Sequence, residues 1–139
     1  MNTINYARVV LGGLLAGLVL NIGEFLLNEF VIKEDTEAAL RALGLAQIGG
    51  AQTAVFVVMG FLLGIVMVWL YAAARPRLGP GVKSAVCVGA VVWTLVYFFA
   101  SVSYHTMGMF PLGMLVIANG WGLVEIPLAT VAGAWLYQE

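Results

Sequence analysis

The sequence contains few charged residues, one histidine and one cysteine. Soluble domains average about 25% charged residues, whereas this chain of 139 residues has 9%, which excludes a globular domain surrounded by water. The single Cys87 excludes a disulfide framework. The net charge is -1, and no basic cluster is long enough to follow a phosphate backbone, so a nucleic-acid partner is excluded as well.

Hydrophobic residues make up 63% of the chain, and its mean hydropathy is +1.02. A bilayer core about 30 Å thick needs about 20 mostly apolar residues per helical span, and the sequence has room for four. The fold class predicted is an all-α membrane protein, a single domain over residues 1–139 in which four transmembrane helices pack as a bundle. The predicted spans are residues 9–31, 53–74, 84–104 and 112–136.

The connections between the spans carry most of the charge. Asp35 or Thr36 could cap a short helix that lies at the membrane surface between spans one and two and ends near Gly44; a solvated loop is the alternative. In the second connection, Pro76 and Pro80 are expected to prevent a continuous helix. The first span resembles a signal peptide at its start, but no cleavage site follows, so we expect it to be retained.

The basic residues outside the spans predict the orientation. Cytoplasmic loops are enriched in Lys and Arg, and an even number of spans places both termini on one side. The side with both termini and the second connection has four basic residues, Arg8, Arg75, Arg77 and Lys83. The other side has two, Lys33 and Arg41. We therefore expect both termini in the cytoplasm.

Polar side chains recur along one face of three predicted spans, although a buried polar group is costly in hydrocarbon. A carboxylate there must face protein or water, or be neutral, so Glu24 and Glu125 are the main candidates for binding a proton or a cation. Together these residues predict a polar pocket that opens outward and ends at Glu125. The candidates are Asn21, Glu24 and Asn28 in span one, Trp93, Tyr97, Ser101 and Tyr104 in span three, and Asn119, Trp121 and Glu125 in span four.

A weaker motif lies in the third connection. His105, Met107 and Met109 form a His-x-Met-x-Met run whose soft ligands could suit Cu(I). A single histidine in a loop is more often an ordinary polar residue, so no metal site is assigned and no cofactor is expected.

Three functions are compatible with these residues. The first is a small transporter or channel in which the two glutamates bind a cation or exchange protons, while Trp93, Tyr97 and Trp121 form an aromatic wall suited to organic cations. The second is an accessory subunit of a larger membrane complex, in which the polar residues only form hydrogen bonds between helices. An intramembrane enzyme is disfavoured because no nucleophile–base pair is present. The expected partners are the lipid bilayer and either further copies of the chain or other subunits.

The run AGLVLNIGEFLLNEF, which contains Asn21-x-x-Glu24, resembles the first helix of a group of small, uncharacterised bacterial membrane proteins. The resemblance implies a protein of the bacterial inner membrane with four helices. It implies no particular activity.

Overall fold

The computed structural model describes residues 3–138, which fold entirely into helices and short connections without a strand. This confirms the all-helical prediction. A π-helical turn, Thr94–Phe98, joins two of the helices into one long element. The α-helices are α1 (Tyr6–Phe30), α2 (Lys33–Ala42), α3 (Gly50–Leu78), α4 (Val82–Trp93), α5 (Phe99–Thr106) and α6 (Leu112–Leu136).

Four elements are long and apolar enough to cross a membrane. They correspond to the predicted spans: α1, α3 and the continuous helix Val82–Thr106 have shifted bounds, and α6 has the predicted bounds. Large apolar side chains cover their outward faces; Phe30 is 72% exposed and Trp135 is 77% exposed. A helix that is apolar on all sides is typical of a membrane span rather than of a surface helix in water.

The connection between α3 and α4 differs from the prediction. Helix α3 continues through Pro76 to Leu78, so Pro76 does not end the helix, although α3 and α4 are separated as predicted by the connection that contains Pro80. A proline removes one backbone donor, so the last turn of α3 lacks the hydrogen bond that residue 76 would have donated to the carbonyl of Ala72. The helix ends instead at Gly79, whose φ of +81° favours glycine.

Helix α2 exists as predicted, but it begins earlier. It starts at Lys33, after Ile32, without a side-chain cap from Asp35 or Thr36. The acids of its first turn and Arg41 in its last turn suit the helix dipole. Lys33 Nζ lies 2.6 Å from Glu29 Oε1, and the hydrogen bond and charge of Glu29 raise the pKa of Lys33.

Small residues set the distance between α1 and α3. A Cβ atom on Gly64 would lie 2.4 Å from the carbonyl oxygen of Gly13 and 2.4 Å from the amide nitrogen of Gly17. Two backbones can approach this closely only without side chains between them, and small residues allow this approach in membrane helices. Helix α1 is thereby fixed against α3.

Helix α6 packs against α1 and α4 in the same manner. A Cβ atom on Gly133 would lie 2.8 Å from the carbonyl oxygen of Gly12, and one on Gly89 would lie 2.7 Å from Pro127 Cα. Helix α1 therefore lies between α3 and α6, while α4 contacts α6 and α3. Beyond the π turn, the main neighbour of α5 outside its own helix is α6.

We call the end of the bundle at which α1 ends and α3 begins the α2 end, and the opposite end the terminal end. The buried apolar core around Met67, Val68 and Ile126 fills the middle and the terminal end. Leu27, Ile32 and Met114 form a separate apolar cluster at the α2 end.

Candidate functional site

Three side chains from three helices meet between the middle of the bundle and the α2 end. The Tyr97 hydroxyl donates a hydrogen bond to Glu24 Oε1, and its oxygen lies 3.4 Å from Glu125 Oε2. Glu24 belongs to α1, Tyr97 to the π turn and Glu125 to α6. We call these three residues, together with Asn28, the carboxyl cluster.

The two carboxyl groups of the cluster are not equivalent. Glu24 is half-buried, and its second oxygen, Oε2, accepts a hydrogen bond of 3.1 Å from Asn28 Nδ2. Asn28 is exposed and lies one turn closer to the α2 end. Glu125 is only 6% exposed, and within residues 3–138 its Oε1 has no hydrogen-bond partner.

Two glycines make room for the cluster. A Cβ atom on Gly23 would lie 2.7 Å from Glu125 Oε1, and one on Gly122 would lie 2.7 Å from Tyr97 Cε1. The backbone of α1 therefore lies directly against the free oxygen of Glu125, and the Tyr97 ring packs on α6. The sequence analysis missed both glycines, although each is next to a candidate residue, Glu24 or Trp121.

The π turn determines how the third span presents its polar face. A π turn inserts one residue into an α-helix, and such turns are frequent at functional sites. Tyr97 lies within it, Trp93 before it and Ser101 after it, and all three contact polar atoms of α6. The predicted stripe is therefore present, but the π turn changes its helical spacing.

Asn119 organises a second polar group between α6 and the third span. Its backbone carbonyl accepts a hydrogen bond of 2.9 Å from Trp93 Nε1, and its Nδ2 donates to Ser101 Oγ at 2.6 Å and to Leu115 O at 2.8 Å. In the described part of the chain, its Oδ1 is buried without a partner. This group fixes the half of the third span nearer the α2 end on α6.

The remaining predicted residues lie outside these two groups. Asn21 turns towards α3 and donates to the carbonyl of Val57 at 3.1 Å. Trp121 packs against the apolar cluster at the α2 end, and Tyr104 makes an edge contact with Phe110 at 5.4 Å between ring centroids. The structure thus brings together Glu24, Asn28, Tyr97 and Glu125, and separately Trp93, Ser101 and Asn119.

Trp93, Tyr97 and Trp121 do not form the predicted aromatic wall among the described ring contacts. Trp93 instead contacts Phe98, with ring centroids 6.1 Å apart.

An apolar cavity of about 360 Å³ lies near the terminal end, where Tyr71, Val82 and Trp135 contribute to its lining. This cavity does not include any residue of the carboxyl cluster.

His105 lies in the last turn of α5 rather than in the third connection, and Met107 directly follows the helix. Both are exposed, and Met109 is half-buried. Across the described residues 3–138, no group of three or more His, Cys, Asp and Glu side chains lies close enough together to hold a metal ion. The Cu(I) interpretation stays a prediction.

No known protein family, curated protein or solved structure matches this chain. The carboxyl cluster is therefore the basis for inferring its function.

Proposed function

We propose that this protein is a small membrane transporter or channel that binds a cation, or exchanges protons, at Glu24 and Glu125. The two carboxyl groups come from α1 and α6 and approach the same tyrosine hydroxyl from the third span. Ionisable residues inside a membrane are costly and usually serve a function.

The observation that carries the proposal is the free oxygen of Glu125. A buried polar atom without a partner costs free energy, and Glu125 Oε1 is such an atom among the described residues. Asn119 also has a buried oxygen without a partner, but an amide does not titrate, whereas Glu125 can take up a proton or bind a cation and lies near a second carboxyl group. An acceptor left open beside a second carboxyl group is suited to a transient positive ligand.

The cellular setting of the proposal follows from the sequence. We place the protein in the bacterial inner membrane with both termini in the cytoplasm, so that the α2 end faces outward. Glu24 and its exposed neighbour Asn28 are then the members of the cluster nearer to the outside.

The experiment is a flux measurement in vesicles of phosphatidylethanolamine and phosphatidylglycerol, read with an internal pH-sensitive dye for protons and with ion-selective electrodes for the other cations. Gradients of pH, Na⁺, K⁺ and tetraphenylphosphonium are applied in turn to wild type and to Glu24→Gln. Gln keeps the shape and hydrogen-bonding capacity of Glu but cannot titrate, so the variant should fold and lose the flux.

Glu29→Gln is the matched control, because Glu29 is on the same helix, five residues away, and is paired with Lys33 at the exposed end. It should retain the wild-type flux. If wild type shows no flux with any gradient and Glu24→Gln has unchanged stability, the transport proposal fails.

An accessory subunit is the second candidate. It is favoured by the first part of α3, where residues 51–59 are all exposed and offer a surface for another membrane subunit. This candidate would be supported if the protein purified from native membranes were recovered only together with other proteins in a fixed stoichiometry.

A further inference from the structure

We propose that the ligand of the carboxyl cluster is a single proton, shared by Glu24 and Glu125 and passed between them by the Tyr97 hydroxyl. This inference rests on the proposed function and deepens it, because it names the proton as the ion bound. The starting observation is that Glu125 is more than nine-tenths buried and has an unpartnered oxygen within the described residues.

Charge is the first reason to assign a proton. Two carboxylates close together in apolar surroundings repel each other, and such pairs commonly share one proton. The basic groups of the elements around the cluster do not supply a countercharge. Arg8 of α1, Arg75 and Arg77 of α3 and Lys83 of α4 all lie towards the terminal end, and Lys33 is paired with Glu29. Other titratable groups of these elements are Tyr71 of α3 and Cys87 of α4, and Tyr104 and His105 at the α2 end of α5.

The hydrogen bonds already formed by Glu24 are the second reason. Oε1 accepts from the Tyr97 hydroxyl and Oε2 from Asn28 Nδ2, so both oxygens face hydrogen atoms rather than an open coordination position. A metal ion would have to displace these donors and assemble its own shell, about four ligands for Zn²⁺ and six to eight for Ca²⁺. A proton needs only one acceptor.

The space around Glu125 Oε1 is the third reason. The backbone of α1 at Gly23 closes one side of this oxygen, since a Cβ atom there would lie only 2.7 Å away. A bulky organic ammonium group could not approach from that side. A proton needs no such approach, because it reaches Glu125 through the Tyr97 hydroxyl, which faces Oε2.

The geometry also permits a proton transfer from Glu24 to Glu125 in which one O–H bond forms for each O–H bond that breaks. A proton that enters from the α2 end binds Glu24 and makes it a carboxylic acid. That O–H bond then breaks as a new bond forms to the Tyr97 oxygen, while the original Tyr97 O–H bond breaks and a new one forms on Glu125 Oε2. The net result is one proton moved from Glu24 to Glu125, with the tyrosine neutral before and after.

Tyr97 is suited to this role because its hydroxyl has one hydrogen and can donate to only one carboxyl group at a time. Before each transfer, as Glu24 becomes protonated, rotation about the C–O bond turns the hydroxyl hydrogen from Glu24 to Glu125. After the transfer, the hydrogen that came from Glu24 already donates back to Glu24. The ring itself is held on Gly122, so only the hydroxyl hydrogen has to move.

Infrared spectroscopy of the protein in vesicles of phosphatidylethanolamine and phosphatidylglycerol tests the proposal. The C=O stretching band of a protonated carboxylic acid is followed while the pH is stepped from acidic to alkaline. Wild type labelled with ¹³C-glutamate assigns the band to glutamate without any substitution. We expect the band at neutral pH in wild type and in Glu29→Gln, and its loss in Glu125→Gln.

The relay is tested by the rate at which the band shifts after transfer to D₂O. Tyr97→Phe keeps the ring on Gly122 but removes the hydroxyl, and we expect it to slow exchange of the Glu125 proton on the order of a hundredfold, the lower end of what a positioned proton-transfer group contributes. Exchange at the wild-type rate in this variant would refute the relay.

Two outcomes separate this inference from the proposed function. Loss of the acid band on adding Na⁺, K⁺ or tetraphenylphosphonium at constant pH would overturn the proton assignment, while cation binding at the cluster would stand. Absence of the band in labelled wild type at neutral pH, with no flux in the vesicle experiment, would overturn both.

Discussion

Replacing Gly64 with alanine should destabilise the bundle strongly, because Gly64 lies where α1 and α3 approach most closely. The added Cβ would lie 2.4 Å from the carbonyl oxygen of Gly13 and 2.4 Å from the amide nitrogen of Gly17. Both are backbone atoms, so no side chain can rotate to relieve the clash. The helices themselves would have to separate.

The size of the effect follows from these distances. Ordinary contact begins at 3.4 Å, so α1 and α3 would have to move apart by about 1 Å, and a gap of this size already loses a quarter to a half of the dispersion attraction between facing atoms. Overpacking of this kind costs about 1–3 kcal/mol. Since only backbone atoms are involved, we expect Gly64→Ala to lower the free energy of unfolding by about 3 kcal/mol, the upper end of this range.

Two other glycines serve as comparisons and predict an order of effects. At Gly60 the nearest atoms belong to the Asn21 side chain, 2.6 Å from the added Cβ, which can rotate at a smaller cost. At Gly120 nothing lies within 4 Å, so alanine should be neutral or stabilise the helix by up to about 1 kcal/mol through its higher helix propensity. The free energy of unfolding should therefore fall most for Gly64→Ala, less for Gly60→Ala and not at all for Gly120→Ala.

The assay is reversible unfolding by sodium dodecyl sulfate in mixed detergent micelles, followed by tryptophan fluorescence. Equal unfolding curves for Gly64→Ala and Gly120→Ala would refute the close packing of α1 on α3. If Gly64→Ala does not fold, the order of the other two variants still tests the reasoning.

Three further predictions concern topology, a single hydrogen bond and assembly. In a Cys87→Ser background, an impermeant thiol reagent added to intact cells should label Ala38→Cys but not Pro80→Cys, because the positive-inside rule places the α3–α4 connection in the cytoplasm; the reverse pattern would invert the orientation. Asn21→Ala removes the hydrogen bond to the carbonyl of Val57 and should lower the free energy of unfolding by about 0.6–2 kcal/mol in the same micelle assay, so an unchanged curve would mean that this bond contributes nothing. The purified protein should be a dimer by mass in detergent, since residues 51–59 of α3 are all exposed in one copy and a second copy could cover them, and a strict monomer with intact flux would contradict this.

The carboxyl cluster was only partly predictable from the sequence. Glu24, Asn28, Tyr97 and Glu125 could be selected because polar side chains are costly inside a membrane and because residues three or four apart share a helix face. That argument placed Asn21 on the same stripe as Glu24, yet Asn21 turns to α3 and is satisfied there by a backbone carbonyl. Helical spacing defines a face but does not say which neighbour the edges of that face will meet.

The sequence by itself determined the class of the protein and its helices. Four apolar stretches of spanning length, with charges in the connections, leave helices as the predicted structure, because a backbone in hydrocarbon must satisfy its own hydrogen bonds within each segment. These are local properties, so the four long helices were predictable. The end of α3 was not, because Pro76 could break the helix or lie in its last turn, and the sequence pattern fitted both.

Only the tertiary structure decided which polar groups meet. Tyr97 reaches both Glu24 and Glu125 because the π turn rotates the third span and because Gly23 and Gly122 allow close approach. The depth at which one helix packs on another depends on atoms of both helices at once, and small residues are too common in this chain to identify their partners from spacing. The unpartnered oxygen of Glu125 is a consequence of that packing, since the backbone of α1 at Gly23 lies against it.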